Sequence, residues 1–160
     1  MKQILELLII VVIIFIYVID DGFVESDDNS IEQQTVNIVT HIVDGDTFDI
    51  SSGERIRMIG IDTPERGKYF YKEASVRLGE LIEGREVILK KDVSETDRYG
   101  RLLRHVYIDD VWINKQMIEE GFARFVTFPP DVAHVQVFEQ AQQKARDAKK
   151  GMWAGGENYK

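Results

Sequence analysis

The sequence predicts an α+β fold: a small five-stranded β-barrel with about three helices packed on its outside, preceded by an N-terminal hydrophobic helix. Three observations predict it. An almost unbroken apolar stretch opens the chain, short β-branched runs bounded by Gly, Asp or Ser follow, and segments of helical periodicity interrupt and end the series. A length of 160 residues, 44% of them hydrophobic, fits one domain with its own core and one extra segment.

The extra segment is N-terminal, where Ile4–Ile19 is almost entirely Ile, Val, Leu and Phe. As a helix it spans about 24 Å, slightly less than the roughly 30 Å hydrocarbon core of a bilayer. No small-residue A-x-A pattern follows and Cys is absent, so we interpret residues 1–19 as an uncleaved signal anchor. The alternative is a cleaved signal, which would lead to secretion. Lys2 precedes the run and acidic residues follow it, which predicts a single-pass cell-membrane protein with its domain outside.

Residues 20–34 are acidic and polar, and we interpret them as a flexible linker. The chain carries a net charge of −8, but residues 1–35 hold one basic and seven acidic residues, which leaves 19 basic and 21 acidic residues for the rest. Sequence-independent affinity for nucleic acid normally comes from an excess of Lys and Arg. The near-neutral domain therefore predicts weak binding to nucleic acid. The site arginines and a metal would supply positive charge locally.

Three strands are predicted first in the domain, at VNIVTHIV (36–43), TFDIS (47–51) and RIRMIGI (55–61). DGD (44–46) separates the first two, and SSGE (51–54) separates the second and third. Asp, Gly and Ser favour tight turns, so these connections are interpreted as hairpins.

The period changes over residues 68–84, where apolar residues fall on one helical face and Gly84 occupies the expected C-terminal position. Two strand-like runs follow, at 86–92 and 102–108. A short helix is predicted over 113–120, ended by a glycine.

Pro129 and Pro130 break the chain before a last helix, which Gly151 ends; its apolar stripe is Val135, Phe138, Ala141, Ala145 and Ala148. Three strands, a helix, two strands and two helices suit a small closed barrel of the oligonucleotide-binding type, the OB-fold. The domain is predicted over residues 35–155, followed by a tail at 156–160.

Three phrases concentrate the ionisable residues: DGDT (44–47), RMIGIDTPE (57–65) and DRYGR (97–101). They supply two carboxylates that can bind one hard cation together and a third that can act as a base. They also supply two guanidiniums that can make bidentate hydrogen bonds to a phosphate. These residues are Asp46, Asp62, Glu65, Arg57 and Arg101. Taken alone, DGD is better explained as a turn, and the complete set is what favours phosphate-ester hydrolysis.

Residues 36 to about 155 resemble the thermonuclease family, the staphylococcal-nuclease-like domain. The resemblance rests on VDGDT (43–47), RMIGIDTPE (57–65), DRYGR (97–101) and KKGMWA (149–154), in this order. It implies a Ca²⁺-dependent nuclease that acts on DNA and RNA with little sequence preference, outside the cytoplasm. It also implies a cut at the 5′ side of the phosphate. We expect a monomer.

The resemblance implies that Asp46, Asp62 and the backbone carbonyl of Thr63 bind calcium, with Asp44 behind them. Ca²⁺ prefers such carboxylate and carbonyl oxygens, and strand ends can present them from two chain segments.

The matching family residues give Glu65 the role of activating water, and they make Arg57 and Arg101 the arginines that grip the phosphate in the transition state. The matching position gives Tyr99 a place against the nucleotide. Arg98 is interpreted as a contact to an outer phosphate, whereas Arg55 is interpreted as a solvated surface charge.

One segment departs from the family pattern, and the histidines have no part in it. Thr127 and Phe128 stand where the family's tyrosine-rich segment predicts phenolic rings. The histidines show no metal-ligand spacing and are predicted to be structural: His41, His105 and His134.

Two other classes of protein are alternatives to an enzyme. A noncatalytic OB-fold module that binds nucleic acid or protein has no need for all five ionisable residues, and a purely structural domain leaves them unexplained. The set therefore favours an enzyme.

Overall fold

The computed structural model describes residues 37–155. The predicted anchor (1–19), acidic linker (20–34) and tail (156–160) lie outside the described residues. Between residues 37 and 155, no helix combines the length and the apolarity needed to cross a bilayer.

Five strands form a barrel: β1 (Asn37–Ile42), β2 (Thr47–Ile50), β3 (Arg55–Met58), β5 (Glu86–Lys90) and β6 (Leu102–Ile108). They close in the ring order β1, β2, β3, β6, β5 and back to β1. Neighbouring strands are antiparallel except β3 and β6, whose parallel pairing closes the ring. The predicted five-stranded OB-fold is confirmed.

The register of β3 determines which side chains face the site. Alternate residues of a strand point to opposite faces, so Ile56 and Met58 enter the core while Arg55 and Arg57 face the other way. Arg57 lies opposite Thr47 of β2, and β3 runs beside the first residues of β6.

The barrel encloses a core of aliphatic and aromatic side chains, which the helices cover from outside. Burial of this surface supplies the main driving force for folding. The largest fully buried side chains include Phe48, Ile56, Met58, Ile61, Leu78, Ile82, Met117 and Phe138.

Three α-helices pack against the barrel, as predicted: α1 (Tyr71–Ile82), α2 (Ile113–Glu119) and α3 (Val135–Asp147). α1 begins three residues later than predicted, because the chain before it forms a turn in which Lys68 N–H donates to the Glu65 carbonyl (2.9 Å). The helix ends at Ile82, two residues before the left-handed Gly84 (φ +70°).

The run RIRMIGI was predicted as one strand but forms two, β3 and β4 (Ile61–Asp62), because Gly60 adopts φ +76° between them. A side chain at Gly60 would also clash, since a Cβ there would lie 2.3 Å from the Phe138 ring.

Two-residue strands and a short 3₁₀ helix complete the described chain. They are β4 and β8 (Arg124–Phe125), which pair with each other, β7 (Val111–Trp112), and a 3₁₀ helix over Gly151–Gly155. β4 was predicted only as part of the longer strand 55–61, and the other three elements were not predicted. Segments this short carry no clear periodic signal.

Candidate active site

The predicted site residues converge at one edge of the barrel. Asp44 and Asp46 lie in the loop before β2, Arg57 lies on the outer face of β3, and Arg101 ends the loop before β6. These loops and the face of the second and third strands are where OB-folds bind oligonucleotides.

Asp46 is the buried centre of this site. Its Oδ2 accepts hydrogen bonds from the backbone N–H of Thr63 (2.9 Å) and from the Thr63 hydroxyl (3.0 Å). Its Oδ1 accepts from the Thr47 hydroxyl (3.0 Å) and pairs with Arg57 Nη1 (3.0 Å). Both oxygens are therefore fixed in direction.

Burial raises the pKa of Asp46 to about 6, against the opposing charge of Arg57 and with the charge of Asp44 adding to the rise. Asp44 also accepts the backbone N–H of Asp46 on its Oδ1 (3.1 Å), so it orients the loop that carries the buried carboxylate. The pocket thus holds a carboxylate whose negative charge is only partly compensated, and a cation would stabilise it.

Arg57 bridges the two predicted metal ligands. Its Nη1 pairs with Asp46 Oδ1, and its Nη2 lies 3.5 Å from Asp62 Oδ1. Nη1 also donates to the carbonyls of Met58 (3.1 Å) and Ile61 (3.0 Å). Only 13% of its side chain is exposed, so the guanidinium is held in place on several sides.

Asp62 has a second arginine partner that the sequence did not reveal. Arg124 donates from Nε (2.8 Å) and Nη2 (2.6 Å) to Asp62 Oδ2, and the two residues are paired directly across β4 and β8. Arg124 therefore holds Oδ2 of Asp62, while Oδ1 of Asp62 faces Arg57.

Arg101 is positioned by Asp97. The Arg101 Nε donates to Asp97 Oδ2 (2.7 Å), and the backbone N–H groups of Tyr99 and Arg101 donate to Asp97 Oδ1 (2.8 and 3.1 Å). Burial alone would raise the pKa of Asp97, but these hydrogen bonds outweigh it and lower the pKa below its ordinary value. The whole turn is thus organised around one ionised carboxylate.

Thr47 connects the two arginine sites. Its hydroxyl donates to Asp46 and lies 3.5 Å from Arg101 Nη1. The side chains of Arg101, Thr47, Asp46 and Arg57 consequently form one continuous series of contacts.

Glu65 lies in the same loop as Thr63, two residues further on, and its side chain is exposed. Within residues 37–155 its carboxylate has no hydrogen-bond or ion-pair partner, whereas its backbone carbonyl accepts the Lys68 N–H. A carboxylate of this kind is free to meet a solvent molecule.

A cleft of about 450 Å³ opens beside these residues. Arg57 and Arg101 line it together with Arg98, Tyr99 and Phe128, and the residues Tyr99 and Phe128 are each 68% exposed. The Arg98 guanidinium stacks over the Tyr99 ring at 4.7 Å from its centroid. Phe128 therefore provides an aromatic surface where the sequence lacked the expected tyrosine.

The donor set fits a weakly held hard cation. Asp46 and Asp62 offer carboxylate oxygens, Thr63 can add a carbonyl, and the buried charge of Asp46, which Arg57 compensates only in part, favours a cation. In the described part of the chain, no group of three or more His, Cys, Asp or Glu side chains is placed to hold a metal. Water would have to complete the six to eight oxygen ligands that Ca²⁺ takes.

The contacts unite most of the predicted residues, since Asp44, Asp46, Arg57, Asp62, Thr63 and Arg101 are joined directly or through Thr47. Arg98 and Tyr99 line the cleft, and Glu65 lies in the loop of Thr63 but does not contact the others. Their chemical roles stay predictions. Sequence reasoning missed Thr47, Asp97 and Arg124. The first two lie inside the recognised phrases DGDT and DRYGR, whose turn-forming residues are the signal that could have indicated them.

A family model described as staphylococcal nuclease homologue matches residues 55–155. The thermonuclease of Staphylococcus intermedius is 33% identical to the chain, and the match covers 90% of each protein. The thermonuclease of Staphylococcus hyicus is 32% identical over 96% of this chain and 99% of its own length. The SPbeta prophage-derived endonuclease YokF of Bacillus subtilis is 31% identical over 70% of this chain and 42% of its own length. The chain therefore belongs to the staphylococcal nuclease family.

Proposed function

We propose that the chain is a Ca²⁺-dependent nuclease that hydrolyses phosphodiester bonds of DNA and RNA with little sequence preference. The observation that carries the proposal is the contact series around Asp46, which brings two carboxylates and two arginines to the edge of one cleft. The relatives named thermonuclease and endonuclease support the same class of reaction.

Arg57 and Arg101 bind the scissile phosphate in this proposal. Both line the cleft, and their guanidiniums are fixed by carboxylates before any substrate arrives. Charge that develops on the phosphate oxygens in the transition state is stabilised most effectively by donors that need no reorganisation. The two arginines meet that requirement.

Glu65 acts as the general base. Its exposed carboxylate accepts a proton from the attacking water, whose oxygen forms the new bond to phosphorus as the bond on the 5′ side breaks. The departing 5′-oxygen takes a proton from a solvent water, so the products carry a 3′-phosphate and a free 5′-hydroxyl.

Asp46, Asp62 and the Thr63 carbonyl would hold the metal, and Asp44 accepts the Asp46 backbone N–H and so supports the loop behind them. When bound, Ca²⁺ supplies Lewis-acid stabilisation of negative charge on the phosphate. The protein's own contribution is to orient the two carboxylates.

Tyr99 and Phe128 present aromatic faces to the nucleotide bases. Aromatic stacking tolerates every base, so it favours unpaired strands and gives little sequence preference. The near-neutral domain adds little long-range attraction, and substrate affinity is accordingly weak.

We also propose that the enzyme works outside the cytoplasm, attached to the cell membrane by residues 1–19. The support is the continuous apolar run with Lys2 before it and acidic residues after it.

A calcium titration tests the proposal. Full-length protein purified in detergent is incubated with single-stranded DNA or RNA over a range of free Ca²⁺. Because few acidic ligands surround the site, half-maximal cleavage is expected at about 10⁻⁴ to 10⁻³ M. Asp46→Asn should abolish this dependence, whereas Asp109→Asn, at an exposed turn, should behave as the wild type.

Full cleavage in a calcium-free chelator buffer would remove the metal from the proposal. Oligonucleotide binding without any cleavage at saturating Ca²⁺ would instead favour the noncatalytic binding module.

A further inference from the structure

A second depression, which we call the groove, lies beside the catalytic cleft. Its volume is about 620 Å³. Tyr99 and Arg101 line both the groove and the cleft, so the turn that carries them separates the two spaces. The remaining lining residues of the groove are Thr40, Asp49, Ile50, Gly53, Arg55 and Gly100.

The groove and the cleft differ in chemistry. The cleft has apolar walls that include Met58, Leu103 and Phe128, which suit the faces of bases. The groove instead presents the Asp49 and Arg55 side chains and no aromatic ring other than Tyr99 among its lining residues. A polar groove of this kind suits the sugar and phosphate part of a nucleic-acid strand.

Arg55 is well placed to contact a phosphate there. It lies on the same face of β3 as Arg57, two residues away, which is a separation of about 6.7 Å along a strand. This separation is on the scale of one nucleotide step. Asp49 lies opposite Arg55 in the register and holds its Nε (2.7 Å) and Nη2 (3.0 Å). The guanidinium is thereby oriented while half of the side chain stays exposed.

We propose that the groove is a second phosphate subsite for a single-stranded polynucleotide, in which Arg55 binds the phosphate next to the one gripped by Arg57 and Arg101. This inference rests on the proposed nuclease function. The strand crosses the Tyr99–Arg101 turn, with bases toward the cleft and the adjacent phosphate in the groove. Asp49 offsets part of the positive charge, so the subsite adds a modest affinity for longer strands.

The test compares substrates of two lengths. Cleavage of single-stranded DNA of two and of six nucleotides is measured at saturating Ca²⁺ for the full-length wild type and for Arg55→Gln. Arg85→Gln is the matched control, because Arg85 is equally exposed and lines neither the cleft nor the groove. Arg55→Lys keeps the charge, and thermal melting verifies that all variants are folded.

For the six-nucleotide strand, Arg55→Gln should raise KM about fivefold and leave kcat unchanged. Loss of one phosphate contact should also reduce the slope of log KM against log salt by about 0.7, the value for a single strand. Arg55→Lys should retain most of that slope. Cleavage of the dinucleotide, which has only the scissile phosphate, should be unaffected by any of these substitutions.

Equal effects of Arg55→Gln on both lengths, or no effect on either, would overturn the subsite while leaving the nuclease assignment in place. Absence of cleavage by the wild type would overturn the proposed function, and the subsite with it.

Discussion

Arg57 shows how one side chain is prepared for its task by its surroundings. Its Nη1 lies within 3.1 Å of two backbone carbonyls and of Asp46 Oδ1. A guanidinium held in this way has lost most of its rotamer freedom before substrate binds, so little ordering entropy opposes the proposed contact to phosphate. The same contacts make Arg57 a counterion that the protein itself needs.

The two roles of Arg57 can be separated by comparing it with Glu65. Glu65→Gln should lower kcat by about 10² to 10⁴ as the loss of a general base, with no change in thermal stability, because its side chain has no partner within residues 37–155. Arg57→Ala should lower kcat by about 10² to 10³. It should also lower the melting temperature in calcium-free buffer, since Asp46 and Asp62 lose their shared partner.

Single-turnover kinetics and calorimetry measure both effects. A Glu65→Gln enzyme with nearly full activity would contradict the assignment of the base.

The candidate site could be predicted from the sequence wherever its residues occur in short phrases. Asp46, Arg57, Asp62 and Arg101 were found because turns and strand ends bring their phrases together, and the contacts agree. Arg124 was not found, since it lies 62 residues from Asp62 and reaches it through a pair of two-residue strands. No local pattern encodes such a pairing.

At the scale of elements, β6 and the extent of the last two helices could be predicted closely, because their apolar periodicity is strong and Gly or Pro bounds them. The start of α1 could not, because residues 68–70 continue the helical pattern while their backbone forms turns. Phe70 even occupies the left-handed region (φ 70°), which a sequence pattern cannot indicate for an aromatic residue.

Two left-handed glycines that end helices offer a matched pair for testing element packing. Gly84 (φ +70°) has open space where a Cβ would be, but a Cβ on Gly121 (φ +79°) would lie 2.3 Å from the Lys150 carbonyl oxygen. Gly121 O also accepts the Met152 N–H of the 3₁₀ helix (2.9 Å). Gly121 thus permits α2 and the 3₁₀ helix to meet.

Gly84→Ala should cost about 1 kcal/mol, the penalty for a left-handed alanine. Gly121→Ala should cost at least about 3 kcal/mol, because backbone atoms must move as well. Urea denaturation measures both free energies of unfolding. Equal costs would show that the approach of the two backbones is not tight.

The molecule as a whole contains a buried histidine whose charge state links pH to stability. His105 is 3% exposed, and neither ring nitrogen has a hydrogen-bond partner among the described residues. Its ring packs against Trp112 (5.2 Å) and His134 (4.9 Å). Burial lowers the pKa of His105 to about 4 from an ordinary 6.5, with His134 adding to the shift and Asp92 and Asp131 opposing it.

Because the folded protein resists protonation of His105, its stability should be undiminished above pH 6.5 and fall as the pH drops from 6.5 to 4. The full shift corresponds to about 3 kcal/mol. Asp46 acts in the opposite direction, since a raised pKa favours the folded state as the carboxyl is protonated below about pH 6. Its contribution is the same in wild type and variant, so it cancels in their difference.

His105→Phe should therefore gain up to about 3 kcal/mol relative to the wild type between pH 7 and pH 4. Exposed His41→Gln is the control and should show no such gain. Chemical denaturation at a series of pH values gives the comparison, and parallel curves for wild type and His105→Phe would show that the buried ring does not titrate in this range.

The N-terminal segment determines where the enzyme works, if it anchors the chain as proposed. The apolar run over residues 4–19 should direct the chain to the membrane, and the absence of small residues after it should make processing by a signal peptidase poor. In this proposal the acidic segment that follows would be repelled by anionic headgroups, which would help the nuclease domain to act clear of the lipid surface. Full-length protein should therefore fractionate with membranes, resist extraction by salt, and lose its domain to protease added to intact cells. Replacing Ile10 and Ile13 by Asp should release it from the membrane fraction, because charges near the bilayer centre are costly. A soluble nuclease in the medium that begins near residue 20 would show that the segment is a cleaved signal and that the enzyme is secreted.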